Sequence, residues 1–392
     1  MSDGEEIGAR FRRFQERLAD GSVGAGGPER PLERGVGTPG LDVPGRDWSP
    51  KTQRREPGGG GEGGRRGGGR GRGEREGITV PPVEFSSYYG RPILKAPVWK
   101  HDIPAYLFTG GLAAGTSLIA AGADLTGRPA LRRAARVTSL AALGASTYFL
   151  INDLGRPERF HHMLRVAKLT SPMSVGTWIL AMLGPAAGVA AVSEVGPLLP
   201  SRGLLGFARR IAPPTGRVAG LAAAALAPAL ATYTGVLLAD TAVPSWHDAY
   251  PELPFVFAGS ALLSSTGAAM ITAPTAETGP VRRLALAGAA IELTASHRIE
   301  TRLGLTGEPY REGRGGRLLR LSRSLVLAGA AGALLGGRSR LLSVLSGAAL
   351  VGSAVATRFG VYHAGVDSAK DPKYTVVPQR ARLEQAESDT DR

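Results

Sequence analysis

The stretch "VAGLAAAALAPALATYTGVLLA" (218–239) contains no charged side chain. A bilayer core about 30 Å thick is crossed by a helix of roughly 20 apolar residues. The stretch also lacks the polar face, recurring about every 3.6 residues, that marks a helix on the surface of a soluble bundle. It is therefore predicted to be a transmembrane helix.

Seven other runs have a similar length and composition. The eight candidate spans lie at 104–123, 134–151, 172–193, 218–239, 253–273, 281–297, 319–336 and 341–359. The second, sixth and seventh are the weaker predictions, because Arg or Glu lies within or beside each. The fold class predicted is all-α, a polytopic membrane protein of about eight transmembrane helices.

Small residues are frequent in these runs, as in "GGLAAG" (110–115) and "LSSTGAA" (263–269). In lipid there is no hydrophobic drive between helices, and small residues let the backbones approach closely. This composition predicts a packed bundle and not a set of isolated anchors.

Composition divides the 392 residues unevenly, with 18 of the 47 Lys and Arg in the first hundred residues. That part contains the low-complexity stretch "GGGGEGGRRGGGRGRGERE" (58–76), which is typical of disorder. The domains predicted are a disordered basic Gly/Arg-rich extension (1–98), an eight-helix membrane domain (99–363) and a polar C-terminal tail (364–392).

The basic extension has three interpretations. A solvated, disordered segment is favoured, and binding to anionic lipid is the second choice. Nucleic acid is an unlikely partner, because no aromatic residue for base stacking lies between Trp48 and Phe85.

The sequence contains no cysteine. Disulfides, thiolate metal sites and iron–sulfur clusters ligated by this chain are therefore excluded. The first residues, "MSDGEEIGARFRRFQERL", have no apolar core of a secretory signal, so none is expected.

An even number of spans places both ends of the membrane domain on one face, here called the terminal face. The long basic extension favours a cytoplasmic location for that face. All six histidines fall there by this topology, together with three aspartates: His101, His161, His162, His247, His297, His363, Asp153, Asp240 and Asp248. Either these loops face lipid head groups, or the face is a working surface that uses titratable groups.

Several residues on this face have a structural and a functional interpretation. His161 and His162 suit interfacial positions, Asp153 with Arg156 suits a helix-capping ion pair, and Tyr233 suits an interfacial aromatic residue. A haem held by two histidines is disfavoured, because the histidines lie at span ends and not within facing helices.

Glu292 differs from these residues. It precedes His297 by five residues, which places it about 7.5 Å deeper along a helix. A carboxylate at such depth is costly and usually marks a proton or substrate path, so a functional role is favoured.

Three segments together resemble the NrfD-like family, the membrane subunits of polysulfide reductases and related molybdopterin oxidoreductases. "WKHDIPAYLFTGGLAAGTSL" (99–118) is similar to the first helix of that family. "INDLGRPERFHHMLRVAKLTSPMSVGTWIL" (151–180) is similar to the loop between helices 2 and 3 and is the most specific of the three. "YTGVLLA" (233–239), followed by "FVFAGSALLSSTGAA" (255–269), is similar to helices 4 and 5.

The resemblance implies a haem-free subunit in the plasma membrane of a prokaryote. Such a subunit holds a quinone, menaquinone or ubiquinone, near the face that meets a ferredoxin-like iron–sulfur subunit. That subunit is bound in turn to a molybdopterin-type catalytic subunit. Electrons pass between the quinone and the partner's cluster, with coupled proton transfer.

The resemblance also implies roles for individual residues. Tyr233 matches a tyrosine proposed to hydrogen-bond a quinone carbonyl, and the other quinone-binding candidates are Tyr106, His101, Asp102, Asp153 and Arg156. Tyr106 occupies the position of a helix-1 histidine in one family member, with His101 and Asp102 about a turn earlier. The candidates for docking of the partner subunit are Arg159, His161 and His162. Independently of the resemblance, the candidates for proton transfer are Glu292, His297 and Asp153.

Two other functions remain open from the sequence. A secondary transporter is one, because Gly and Pro in "LAPALATYTG" (226–235) are typical of a discontinuous helix around a midplane site. A passive membrane anchor for a redox complex is the other, since such an anchor retains the fold without the chemistry.

Overall fold

A computed structural model describes residues 92–390 of the chain. The predicted disordered extension (1–98) lies almost wholly outside the described residues. Within the described range the fold is all-α, as predicted, and contains no strand.

The described part of the chain contains eight long helices, and a ninth helix follows them. Their bounds are α1 Asp102–Leu125, α2 Pro129–Asn152, α3 Pro172–Val192, α4 Gly203–Ala239, α5 Leu253–Thr272, α6 Gly279–Arg302, α7 Gly313–Leu335, α8 Arg340–Lys370 and α9 Lys373–Thr390. Short helical turns lie between them at Pro157–Leu164, Ser193–Leu198, Pro244–Asp248, Gly304–Gly307 and Glu308–Arg311.

The eight predicted spans coincide with α1 to α8. Among the described residues, seven of these helices are long and apolar enough to cross a membrane. The exception is α6, which carries Glu292 and Glu300 and four arginines (282, 283, 298 and 302). It is nevertheless 24 residues long and packs against α5 and α7.

Two helices extend well beyond their predicted spans. α4 begins at Gly203 instead of 218, and Pro213 and Pro214 lie inside it. At about 1.5 Å per residue its 37 residues are longer than a bilayer core is thick. α8 continues past 359, the end of its predicted span, and past 363, the predicted end of the membrane domain. It ends at Lys370, directly before Asp371 and Pro372. Polar residues therefore end the apolar run without ending the helix.

The long helices form two groups that follow the chain order. α1 to α4 pack with one another, as do α5 to α8, and α1 and α5 make much of the contact between the groups. The rings of His101 at the start of α1 and His363 in the last part of α8 lie 6.4 Å apart. The first and last long helices therefore meet at one face, the terminal face.

Glycine permits a close contact between the backbones of α5 and α8. A Cβ on Gly267 of α5 would lie 2.5 Å from the carbonyl oxygen of Gly347 of α8, and the converse contact is the same length. Backbone approach of this kind maximises dispersion contacts where lipid offers no hydrophobic drive.

The terminal face is held together by a buried tryptophan. Trp246, in the short helix Pro244–Asp248, is fully buried and donates from Nε1 to the carbonyl oxygen of Val361, 2.7 Å away. A Cβ on Gly365 would lie 1.9 Å from its ring, so the glycine makes room for the indole. Trp99 stacks on the ring of Trp246 with centroids 5.8 Å apart.

We expect Gly267→Val to lower the free energy of unfolding, because the added side chain overpacks the α5–α8 contact at a cost of about 1–3 kcal/mol. Thermal unfolding of the purified protein in detergent measures the change. Gly144→Val is the matched control, since Gly144 is exposed on α2 and has open space at its Cβ position. Equal midpoints for the two variants would contradict the contact.

Candidate functional site

A cavity of about 140 Å³ lies beneath the terminal face, between the ends of the first four helices. Its walls come from α1, α2, α3, α4 and the turn Pro157–Leu164. The lining residues are Trp99, Ile103, Tyr106, Leu107, Leu150, Asp153, Leu154, Met163, Met173, Thr177, Tyr233, Leu237 and Leu238. We call this cavity the terminal pocket. It is mostly apolar, with two phenols, a carboxyl and a hydroxyl as its polar side-chain groups, apart from the indole N–H of Trp99.

The terminal pocket brings together three of the predicted quinone-binding residues, Tyr106, Asp153 and Tyr233. Both tyrosines are buried, with 3% and 8% of their surface exposed. Gly176 of α3 sets the position of the Tyr233 ring, because a Cβ there would lie 2.0 Å from its Cε2 atom. Phenol hydroxyls donate hydrogen bonds, so the pocket offers donors within an apolar enclosure.

Asp153 follows directly after the last residue of α2. Its Oδ1 accepts a hydrogen bond from the backbone N–H of Lys100, 3.2 Å away. Burial raises the pKa of the Asp153 carboxyl above its ordinary value, the Lys100 hydrogen bond lowers it, and the nearby Asp102 carboxylate raises it further. Asp153 therefore holds its proton at higher pH than an ordinary aspartate.

The other predicted quinone ligands lie outside the pocket wall. His101 is exposed and Asp102 partly exposed at the start of α1, and Arg156 is exposed in the connection after α2. The ring of His101 instead faces His363. These residues lie on the rim of the terminal face or next to it.

The predicted docking residues lie on one exposed turn. Arg159, His161 and His162 all belong to or border the stretch Pro157–Leu164, in which no residue is buried. The two histidine rings lie edge to face with centroids 4.4 Å apart. This turn also supplies Met163 to the terminal pocket, so a protein bound to it would lie directly over the pocket.

Glu292 is buried in the second helix group, away from the terminal pocket. It is 3% exposed and accepts a hydrogen bond at Oε1 from Thr357 Oγ1, 2.6 Å away, and a longer one from Ser322 Oγ at 3.4 Å. Its Oε2 has no hydrogen-bond partner within the described residues. A cavity of about 20 Å³ adjoins it, which is room for about one water molecule.

His297, the predicted companion of Glu292, is exposed on the opposite side of α6. Five residues along a helix correspond to a rotation of about 140° at 3.6 residues per turn. The side chains of Glu292 and His297 therefore differ in depth, as predicted, and also point in different directions around the helix. Ser322 and Thr357 occupy the place beside Glu292.

Arg358 is a buried residue that is not among the site residues predicted from the sequence. It is 1% exposed in α8, and its Nη2 donates to the carbonyl oxygen of Phe257 at 2.8 Å. Longer hydrogen bonds run to Ser260 Oγ at 3.3 Å and Thr234 Oγ1 at 3.4 Å. The guanidinium carbon lies 3.8 Å from the centre of the Phe257 ring. A lone arginine in the last apolar run was the available signal.

The helices and the pocket define the class of this protein, a multi-pass helical membrane protein with a small, mostly apolar pocket beneath one face. Residues 93–280 match the family model described as "Polysulphide reductase, NrfD". Residues 93–280 are thus NrfD-like, and a region of this kind is typical of a membrane subunit that works with a redox partner. The matched range contains every residue that lines the terminal pocket. A comparison with curated proteins gave no match.

The raised pKa of Asp153 predicts how stability changes with pH. From about pH 4 upward the unfolded chain loses this proton before the folded chain does, so the carboxyl's contribution to the free energy of unfolding falls as pH rises through its folded pKa. Asn cannot titrate and retains the oxygen that accepts from Lys100. We expect Asp153→Asn to gain stability relative to wild type as pH rises.

Thermal unfolding in detergent, from acid to neutral pH, measures this difference. Asp240→Asn is the control, because Asp240 is an exposed carboxylate directly after α4 on the same face. Parallel pH profiles for the two variants would contradict the assignment.

Proposed function

We propose that this chain exchanges electrons between a quinone pool and an iron–sulfur partner subunit, with the quinone ring bound in the terminal pocket. The convergence of Tyr106, Tyr233 and Asp153 on one apolar cavity carries the proposal. A quinone carbonyl gains basicity as it gains electrons, so it needs hydrogen-bond donors and a proton source at contact distance. Its ring needs apolar walls.

The size of the terminal pocket fits a head group and not a whole lipid-soluble molecule. Sites for drug-sized ligands occupy roughly 300–1,000 Å³, whereas this pocket holds about 140 Å³. One ring fits that space, and the isoprenoid tail remains in the bilayer. Met163, Met173 and Leu237 supply adaptable apolar contacts to the ring.

The three polar side chains have different proposed roles. The phenols of Tyr106 and Tyr233 donate hydrogen bonds to carbonyl oxygen and stabilise the negative charge that reduction adds. Asp153, with its raised pKa, exchanges a proton with the bound ring and with the terminal face. Reduction of a quinone to a quinol consumes two electrons and two protons, and oxidation releases them.

The electron partner is proposed from the position of the pocket. Arg159, His161 and His162 are exposed on the turn that also lines the pocket, so a ferredoxin-like iron–sulfur subunit docked there brings its cluster close to the ring. A molybdopterin-type catalytic subunit completes the complex. The membrane is the plasma membrane of a prokaryote, with the terminal face cytoplasmic.

Glu292 is proposed as a second proton-exchange group. Ser296, Glu300 and Arg323 line the same small cavity as Glu292. Glu292 connects to the first helix group through Thr357 and its neighbour Arg358, which reaches Thr234 beside Tyr233. A change in the charge of the bound quinone therefore changes the electrostatic potential at Glu292.

Tyr233→Phe tests the quinone assignment. A titration of the purified protein with a fluorescent quinol-site inhibitor should show saturable quenching at about one site per chain. The Phe variant should bind about fivefold more weakly, since one hydrogen bond is worth about 1 kcal/mol. Tyr148→Phe is the control, because Tyr148 is exposed on α2.

Two results would contradict the assignment. One is the absence of saturable quenching in a folded wild-type preparation, which would favour the passive anchor. The other is equal weakening by Tyr233→Phe and Tyr148→Phe, which would remove Tyr233 from the site.

Glu292→Gln tests the proton role. We expect slower proton-coupled quinone turnover in the assembled complex with unchanged inhibitor affinity, because the amide keeps the hydrogen bonds to Thr357 and Ser322 but does not titrate. Glu277→Gln is the control, since that side chain binds the backbone N–H of Leu131 at the opposite face. Equal loss of turnover and of affinity in Glu292→Gln would instead indicate a structural role.

A further inference from the structure

A second cluster of charges lies at the face opposite the terminal face, and it centres on Glu194. This residue is 7% exposed and lies in the turn Ser193–Leu198, directly after α3. Arg132 Nε and Arg136 Nη1 donate to its Oε1 at 2.7 and 2.9 Å. Arg132 Nη2 donates to Oε2 at 3.1 Å, and Arg133 Nε lies 3.7 Å from the same oxygen.

Asp124, near the end of α1, is shared in the same way. Arg132 Nη1 donates to its Oδ1 at 3.1 Å. Arg136 Nη2 and Arg217 Nε lie 3.7 and 3.9 Å from Oδ2. Four guanidinium groups thus surround two carboxylates, and the cluster carries a formal charge of two positive units.

A cavity of about 360 Å³ opens between these charges. Arg132, Arg136 and Arg217 line it together with Asp124, Glu194 and Ser193, and three prolines complete the wall. We call it the arginine cavity. An excess of positive charge at the edge of a bilayer attracts an anion.

Arg136 is built into this cavity. Its side chain is 5% exposed, and its Nη2 donates to the carbonyl oxygen of Gly216 at 2.9 Å. Its Nε has no hydrogen-bond partner within residues 92–390. A Cβ at Gly220 would lie 3.1 Å from Nη2, so α4 leaves space for the guanidinium.

Exposed apolar residues adjoin the arginine cavity. Leu198 is 81% exposed at the end of the turn that carries Glu194, and Val218 is 70% exposed next to Arg217. The first part of α4 also exposes Leu204 and Phe207, while Arg209 and Arg210 follow them on the helix. Apolar side chains with nearby arginines are typical of a helix at the level of lipid head groups.

We propose that the arginine cavity binds the phosphate group of an anionic membrane phospholipid, with the acyl chains against the exposed apolar residues beside it. Arg217 is the available donor, because its side chain is more than half exposed, lines the cavity and makes only a long contact to a carboxylate. Arg132 and Arg136 hold the site in shape through Glu194. This inference does not depend on the proposed quinone chemistry, since the two sites lie at opposite faces.

The test uses the full-length protein in detergent after lipid removal. Phosphatidylglycerol, phosphatidylcholine with the same acyl chains, and inorganic phosphate are titrated separately. Thermal unfolding gives the stabilisation, and native mass spectrometry counts bound lipid. We expect saturable stabilisation by phosphatidylglycerol at one lipid per chain.

Arg217→Gln should weaken that binding about tenfold, as expected for loss of one charge-assisted hydrogen bond. Arg210→Gln, an exposed arginine on α4 that does not line the cavity, should leave it unchanged. Arg217 suits the test because its removal leaves Glu194 with its three arginines, so folding is retained.

Three outcomes would overturn the inference. Equal stabilisation by phosphatidylcholine would mean that the anionic charge is not recognised. Equal stabilisation by inorganic phosphate would assign the site to a soluble anion. Binding of phosphatidylglycerol that is the same in wild type and Arg217→Gln would place the lipid elsewhere.

Discussion

The arrangement of the helices depends on the hydrogen bonds that the buried guanidinium of Arg358 makes. A charged side chain in an apolar helix bundle is tolerated only where partners replace water. Arg358 finds them on two other helices, at Thr234 of α4 and at Phe257 and Ser260 of α5. α1 closes around the same group, because a Cβ on Gly111 would lie 2.8 Å from Nη2. One side chain thus fixes α8 against helices of both groups.

This constraint connects the two candidate functional regions. Thr234 is the neighbour of Tyr233, whose ring lines the terminal pocket, and Thr357 is the neighbour of Arg358 and donates to Glu292. The pocket between α1 and α4 and the carboxyl on α6 are therefore positioned from the same segment of α8. A proton on Glu292 and a charge in the pocket act on one shared arginine, through a low-dielectric interior in which electrostatic effects are strong.

The sequence predicts the number and order of the helices because the length of an apolar run is set by bilayer thickness. It predicts the extents of α4 and α8 poorly, since both helices continue into polar sequence. Tyr106, Asp153 and Tyr233 lie in separate segments of the sequence, and the structure brings them to one cavity. The long-range clusters are harder to predict. The charges of the arginine cavity come from the end of α1, the first part of α2, the turn after α3 and the middle of α4. Arg358 looks like a residue at the end of a span, because the apolar run stops beside it, about 18 Å before the helix ends.

The central claim is that the small terminal pocket, and not a larger groove, holds the quinone ring. A rival exists in the apolar groove of about 520 Å³ between α5 and α6, lined by Phe255, Ile291 and Arg298. Photolabelling with a photoreactive quinone analogue, mapped by peptide mass spectrometry with and without excess natural quinone, separates the two. We predict quinone-protected labels in 99–107, 150–177 and 233–238. Protected labels confined to 251–298 would contradict it.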